Sequence, residues 1–405
     1  MRISVITCSG RELVALNADP SWHVHDVLAA TPGQDTPDCS KRIFFENAEL
    51  TGSTTLGEIG VASGSELTLV VTPILYVVTG CPNNLVKVWS AVSGERIRTL
   101  DGHQAPVRSI VFSPSGLEVS TSSNDGTVKI WSATSGECLR TLKHDCHVLS
   151  SAFSRDGQLV LTISGNGISR VWSAASGECT WALEQPARVW SAAFSPDGQH
   201  VLAISGIGTA SMWSIALREC ACTLEGHHSW MMPAVFNSDG TEVLTAVADG
   251  GVVILSTVSG KILRALDGHR CWVNSGAFSK DGRAVLTASD DGTAKIWRTA
   301  SGECSLTLAG HRGWVKSAVF SPAGQEVLTA SNDGTARIWC AASGECLCTL
   351  QGHRSWVNSA AFSPDGQEVL TTSKDGTAKI WSVALGRCLH TVEGHVASFS
   401  SCTPP

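Results

Sequence analysis

The sequence predicts a mostly-β chain: a ring of small four-stranded antiparallel sheets, preceded by a compact N-terminal domain. Three observations carry this. "DGTAKIW" stands at 291–297 and again at 375–381, with "DGTARIW" at 333–339, each 42 residues after the last. A Trp closes the same short segment at Trp89, Trp131, Trp172, Trp213, Trp297, Trp339 and Trp381, with Leu255 in the remaining slot, so eight units follow one another. No unit shows a helical period, and a repeat of 41–42 residues marks an array of supersecondary units.

The unit at 309–350 shows how each element arises. "WVKSAVF" is rich in Val, aromatic and small residues and reads as a strand. Pro322 and Gly324 bend the chain. "EVLTAS" is the second strand, "NDG" a tight turn, "TARIWC" the third strand and "ECLCTL" the fourth. Inner strands that are apolar on both faces need cover on both sides. Stacking neighbours around an axis supplies it, and closing the ring removes exposed ends.

The chain has 405 residues, is 43% hydrophobic and 16% charged, and carries a formal charge of −7. It can bury a large core, and its charge argues against broad binding to nucleic acid or anionic membrane. "MRISVITCSG" lacks the pattern of a secretory signal, and "LTLVVTPILYVV" is too short to span a bilayer and is broken by Pro73. The expectation is a soluble chain of the cytoplasm or nucleus. Of 15 cysteines, Cys138, Cys179, Cys220, Cys304, Cys346 and Cys388 recur at one repeat position and read as small buried hydrophobes in a reducing compartment.

"GH" followed at a fixed interval by "DGTAKIW" resembles the WD-repeat β-propeller family, over residues 74–401. The Asp that usually follows the Trp is absent; Ser90, Ser132, Ser173, Ser214, Arg298, Cys340 and Ser382 stand there. The resemblance implies a hydrogen-bonded tetrad of His, Ser or Thr, Asp and Trp in each blade. Four look complete: His103, Ser123, Asp125, Trp131; His269, Ser289, Asp291, Trp297; His311, Ser331, Asp333, Trp339; and His353, Ser373, Asp375, Trp381. Gln185 and Ile207 replace His and Asp together in one unit; Asn166 replaces Asp beside His144; Val247 and Leu255 replace Ser and Trp beside His227 and Asp249. A lone buried partner costs about 1–3 kcal/mol, which favours losing both at once.

The first unit has three strands and no innermost one, and "HVASFSS" near the C-terminus is expected to supply it. That gives eight blades, with seven as the competing count. The propeller is placed at 73–401, closed by 394–401, with a tail at 402–405.

Residues 1–72 lack the repeat. "RISVITCSG" and "RELVALNAD" read as a hairpin turning at Ser9-Gly10, and "PSWHVHDVLAA" as a helix with Ser21 the N-cap candidate and Val24, Val27 and Leu28 on one face. "KRIFFENAEL" and "SELTLVV" are further strands. The order resembles ubiquitin, a β-grasp domain. After Val71 the chain reads "TPIL", with no free diglycine tail, and Lys41 is the segment's one Lys, so conjugation and chain building are not expected. The resemblance implies a receptor-binding patch at Cys8, Phe44, Thr68 and Val70.

Function is sought where otherwise identical units differ. Three residues after each His the series reads Pro106, His147, Arg188, Trp230, Trp272, Trp314, Trp356. One residue after, it reads Gln104, Asp145, Pro186, His228, Arg270, Arg312, Arg354; before the Asp position lie Asn124, Gly165, Gly206, Ala248, Asp290, Asn332 and Lys374. Trp and Arg are enriched in binding hot spots, and Arg suits acidic or phosphorylated groups. The predicted binding set is Trp230, Trp272, Trp314, Trp356, Arg270, Arg312, Arg354, Asp290, Asn332 and Lys374. The expected function is a non-enzymatic scaffold or adaptor that holds a protein or peptide and recruits ubiquitin-pathway components. The alternative is a reader of a small ligand or modified residue in the central funnel. Neither catalysis through the repeated His, Ser and Asp, nor a metal site at "HDCH" (144–147), nor any cofactor is expected.

Overall fold

The computed structural model describes residues 1–7, 12–31, 39–45, 48–50, 55–73, 75–81, 83–183, 189–205, 210–224, 234–246, 251–394 and 396–399. They form two compact units, divided at about residue 74.

The first unit is a five-stranded sheet with one helix. Its strands are β1 (Arg2–Thr7), β2 (Glu12–Asn17), β3 (Cys39–Phe45), β4 (Ala48–Leu50) and β5 (Glu66–Pro73), in the order β2-β1-β5-β3-β4. β1 and β5 run parallel and the other pairs antiparallel. The helix, α1 (Val24–Ala30), buries Val24 and Val27 against Ile3, Val5, Ile43 and Leu67. Its N-cap is His23, not Ser21. The Asp26 carboxylate accepts the His23 N–H at 2.8 Å, while Ser21 is bound to Asp19. An acid at the third helical position closes a capping box, and that fixes the start.

The second unit holds eight four-stranded antiparallel sheets. The first combines Tyr76–Gly80, Val86–Ser90 and Arg96–Leu100 with Val396–Phe399 from the other end of the chain. The second to eighth span 107–143, 148–183, 189–224, 235–266, 273–309, 315–351 and 357–393. In each of these the strand earliest in sequence is at one edge and the latest at the other.

The second strand of each sheet is buried on both faces because both faces are covered. Glu326–Ser331 is buried from Val327 onward, and Glu368–Ser373 from Val369 onward. Leu328 and Ile338 of the seventh sheet pack with Val357, Val369 and Trp381 of the eighth. Leu370 and Ile380 of the eighth pack with Val77 and Ala91 of the first. Each such side chain contributes about 1.5–3 kcal/mol on burial. The same exchange continues from sheet to sheet through the unit.

The junction of the chain ends is polar as well as apolar. Val396 lies opposite Gly80 and Phe399 opposite Val77. The Thr79 hydroxyl donates to the Glu393 carbonyl at 2.7 Å, and Lys87 pairs with the Glu393 carboxylate. Asn84 takes the left-handed turn position (φ +68°) that Gly126 holds in the second sheet (φ +81°). Asn is among the few non-Gly residues that tolerate it.

The recurrent cysteines differ from expectation. Cys138, Cys179, Cys220, Cys304, Cys346 and Cys388 are exposed and unbridged. They stand at the start of the outermost strand in six of the eight sheets, which has no neighbour on one side, so its outward positions face solvent.

Candidate functional site

The site rests on the tetrads. In the seventh sheet the His311 Nδ1 donates to Asp333 Oδ2 at 2.8 Å, its Nε2 meets Thr329 Oγ1 at 2.8 Å, and Trp339 Nε1 donates to that same oxygen at 2.8 Å. The second, sixth and eighth sheets repeat this through Thr121, Thr287 and Thr371. The hydroxyl is therefore the Thr two residues before the expected Ser. Ser123, Ser289, Ser331 and Ser373 instead accept the N–H of Asp125, Asp291, Asp333 and Asp375 and shape the turn. In a strand, residues two apart share a face. The Thr is the one placed level with the indole.

Burial pushes His103, His311 and His353 below the ordinary imidazole range. Against burial, hydrogen bonds from Thr335, the Arg312 N–H and His311 draw Asp333 down to about 2. A neutral imidazole beside an ionised carboxylate satisfies every group: Nδ1–H donates to Asp, Thr donates to Nε2, and Trp donates to Thr. Groups so engaged with one another serve as framework, not as a hydrolytic triad.

The degenerate units show what happens without a full set. Asn166 makes no bond to His144; its side chain accepts from Ser164 and from the Ile168 N–H. Arg170 reaches His144 Nδ1 at 3.1 Å and Asp145 at 2.9 Å. Burial and the Arg170 charge push His144 down to about 4. In the fourth sheet Ala203 stands where the others have Thr, and Trp213 Nε1 has no hydrogen-bond partner among the described residues. Gln185, Ile207, His227, Val247 and Asp249 lie outside the described residues. Leu255 fills the Trp slot of the fifth sheet and is fully buried.

Each tetrad positions the variable residues. Arg270, Arg312 and Arg354 donate their backbone N–H to the tetrad Asp, at 3.1, 2.9 and 2.9 Å. The carbonyls of Trp272, Trp314 and Trp356 accept the N–H of Asp290, Asn332 and Lys374, each at 2.9 Å. Each Trp precedes a buried Val that starts the innermost strand, so alternation turns the indole outward. Trp272 is 58% exposed, Trp314 48% and Trp356 43%. Trp230 lies outside the described residues.

Trp314 and Trp356 meet across two sheets, with ring centroids 6.4 Å apart. Lys316 Nζ sits 4.7 Å from the Trp314 ring and Lys374 Nζ 4.5 Å from that of Trp356. Lys316 also reaches back to Asp290 at 2.9 Å, and Asn274 donates to the same carboxylate at 2.7 Å. The Arg270, Arg312 and Arg354 side chains are exposed and, among the described residues, unpaired. Sequence reasoning missed Lys316 and Asn274. They stand two residues after Trp314 and Trp272, in a column that also varies between repeats (Arg108, Leu149, Asn358).

In the first unit Phe44 pairs with Thr68 and Arg42 with Val70 along the strands β3 and β5. Thr68 is half-buried. Cys8 lies outside the described residues, as do the side chains of Phe44 and Val70. His23, His25 and Asp26 have donor atoms within 4.8 Å of one another, but Asp26 is engaged in the capping box. In "HDCH", Asp145 is paired with Arg170, and Cys146 Sγ accepts the Asn166 N–H.

With this geometry in place, the comparisons can be set beside it. The WD domain, G-beta repeat model matches residues 94–132, 136–173, 260–298, 302–340 and 344–382. The chain carries WD repeats. Among curated proteins, nuclear distribution protein PAC1 of Cryptococcus neoformans is 46% identical over 44 residues, and PAC1-2 of Postia placenta 43% over 44. These matches cover 11% of this chain and 10% of each relative's length. Among solved structures, the computationally designed Ika8 protein aligns with a TM-score of 0.69 and 29% identity, over 76% of this chain and 93% of that one. The matched repeats and the unmatched stretches fold into sheets of one four-stranded antiparallel architecture, which fits a β-propeller. No helix among the described residues is long and apolar enough to cross a membrane.

Proposed function

We propose that this WD-repeat protein is a non-enzymatic interaction scaffold: an eight-bladed propeller behind a ubiquitin-like domain. The propeller holds a client peptide on the face formed by Trp272, Trp314, Trp356, Arg270, Arg312, Arg354 and Lys374. The carrying observation is that three exposed indoles stand on three consecutive sheets, each tied to a tetrad, with unpaired Arg beside them. Exposed Trp costs solvation unless it is covered in use. Free guanidinium groups next to it favour a client with acidic or phosphorylated side chains. Lys316 and Lys374 already occupy the Trp314 and Trp356 rings, which weighs against a methylated-lysine reader. The ubiquitin-like domain would recruit ubiquitin-pathway machinery through the face that carries Phe44, Thr68 and Val70.

The test is an array of acidic peptides, in phosphorylated and unphosphorylated forms, probed with the full chain. Arg270→Glu/Arg312→Glu/Arg354→Glu should abolish binding, and Trp314→Ala/Trp356→Ala should weaken it about tenfold or more. Unchanged binding by both folded variants would refute the face.

A further inference from the structure

"HVHD" at 23–26 leads the chain into α1. His23 has extended backbone and the helix follows at once, so the chain turns between the two histidines. The turn brings three side chains together. His25 Nε2 lies 3.2 Å from Asp26 Oδ1, and His23 Nδ1 lies 3.8 Å from Asp26 Oδ2. The two imidazoles stack at 23°, with ring centroids 5.5 Å apart. One donor atom from each of the three residues falls within 4.8 Å of the other two. Ligands of one tetrahedral ion stand about 3.3 Å apart, so small side-chain rotations close the set.

The backbone beneath them is fixed. The Pro20 and Trp22 carbonyls accept the N–H of Gly57 and Leu56, each at 2.8 Å, and His23 bridges to Thr55. Asp26 has an oxygen to spare: Oδ2 takes the His23 N–H at 2.8 Å, and Oδ1 faces His25. A carboxylate steadied through one oxygen is well placed to ligate through the other. Glu58 stands near enough to His23 for their charges to interact. Neither 12–31 nor 55–73 contains Lys or Arg, so these two segments bring no cation of their own. The His25 side chain is 72% exposed and those of His23 and Asp26 38%, which leaves an ion a path in.

We propose that His23, His25 and Asp26 form a zinc site, with two imidazole nitrogens and one carboxylate oxygen on the ion and water at its remaining position. Imidazole suits zinc, whereas magnesium and calcium are taken by oxygen ligands alone. The site is its side chains and not the helix end, whose partial positive charge works against a cation. Occupied, it pins the first turn of a seven-residue helix in the small unit that ends at about residue 74. Units of this size bury little core and gain most from such a staple. This does not depend on the Trp and Arg face.

The experiment treats the full chain with diethyl pyrocarbonate, which acylates imidazoles whose nitrogen lone pair is free, across a series of zinc chloride concentrations. Peptide mass reads each histidine separately, so zinc held by cysteines elsewhere does not enter. Zinc should protect His23 and His25 with one shared midpoint, and magnesium at the same concentrations should protect neither. Asp26→Asn keeps an oxygen for the His23 N–H but loses the charge, and should move the midpoint to about tenfold higher zinc or more. His25→Gln changes an exposed side chain, which the fold should tolerate, and should leave His23 unprotected. Continued acylation of His25 in zinc, equal protection by magnesium, or protection of His23 that survives His25→Gln would overturn the proposal.

Discussion

Thr329→Val tests the tetrad directly. Thr329 is fully buried, and its hydroxyl is the shared partner of Trp339 Nε1 and His311 Nε2. Val keeps the shape but strands the indole N–H and the imidazole nitrogen. Each buried unsatisfied group costs about 1–3 kcal/mol, so the loss should be about 2–6 kcal/mol. Against a total of about 5–15 kcal/mol for a folded domain, that is a large fraction. Ser331→Ala is the comparison, because Ser331 accepts one backbone N–H, from Asp333 at 3.2 Å. It should cost about 0.5–1.5 kcal/mol. Urea titration of both variants, followed by Trp fluorescence, gives the two midpoints. If Ser331→Ala destabilises as much as Thr329→Val, the reasoning that makes Thr the keystone is wrong.

Three further outcomes are expected. Ala203→Thr supplies Trp213 Nε1 with an acceptor and should raise the urea midpoint by the equivalent of about 1 kcal/mol; a lowered midpoint would mean the fourth sheet has closed over the space. Lys316→Met leaves the Asp290 carboxylate with Asn274 alone and should cost about 1–3 kcal/mol, largely recovered in Lys316→Met/Asp290→Asn; no recovery would refute the ion-pair account. His144 is depressed from 6.5 to about 4, so the unfolded chain binds more protons across that window. Its stabilising effect is full above about pH 6.5 and is lost as the pH falls towards 4. Melting temperatures of wild type and His144→Gln should therefore converge as the pH is lowered from 7 to 4; parallel curves would refute this.

Several features could be read from residues alone because they are local or periodic. The four-strand unit follows from the turn residues Pro322, Gly324 and Gly334 and the apolar strands between them. The exposure of Trp272, Trp314 and Trp356 follows from their place directly before a buried Val. The tetrad hydroxyl was misassigned because Ser331 and Thr329 both sit on one strand face, and a motif gives no depth. The cysteines were misread because apolar character was taken for burial. Their strand is the outermost one, and only its lack of an outer neighbour exposes them.

Sequence by itself determined the repeat, its strands and turns, and the columns in which the units differ. Each depends on interactions between residues close in the chain, where spacing is geometry. Only the tertiary structure decided that Lys316 of one sheet pairs with Asp290 of the sheet before it, and that Arg170 displaces Asn166 as the partner of His144. Both contacts join residues 26 positions apart, one within a unit and the other across two sheets, and no local pattern encodes them.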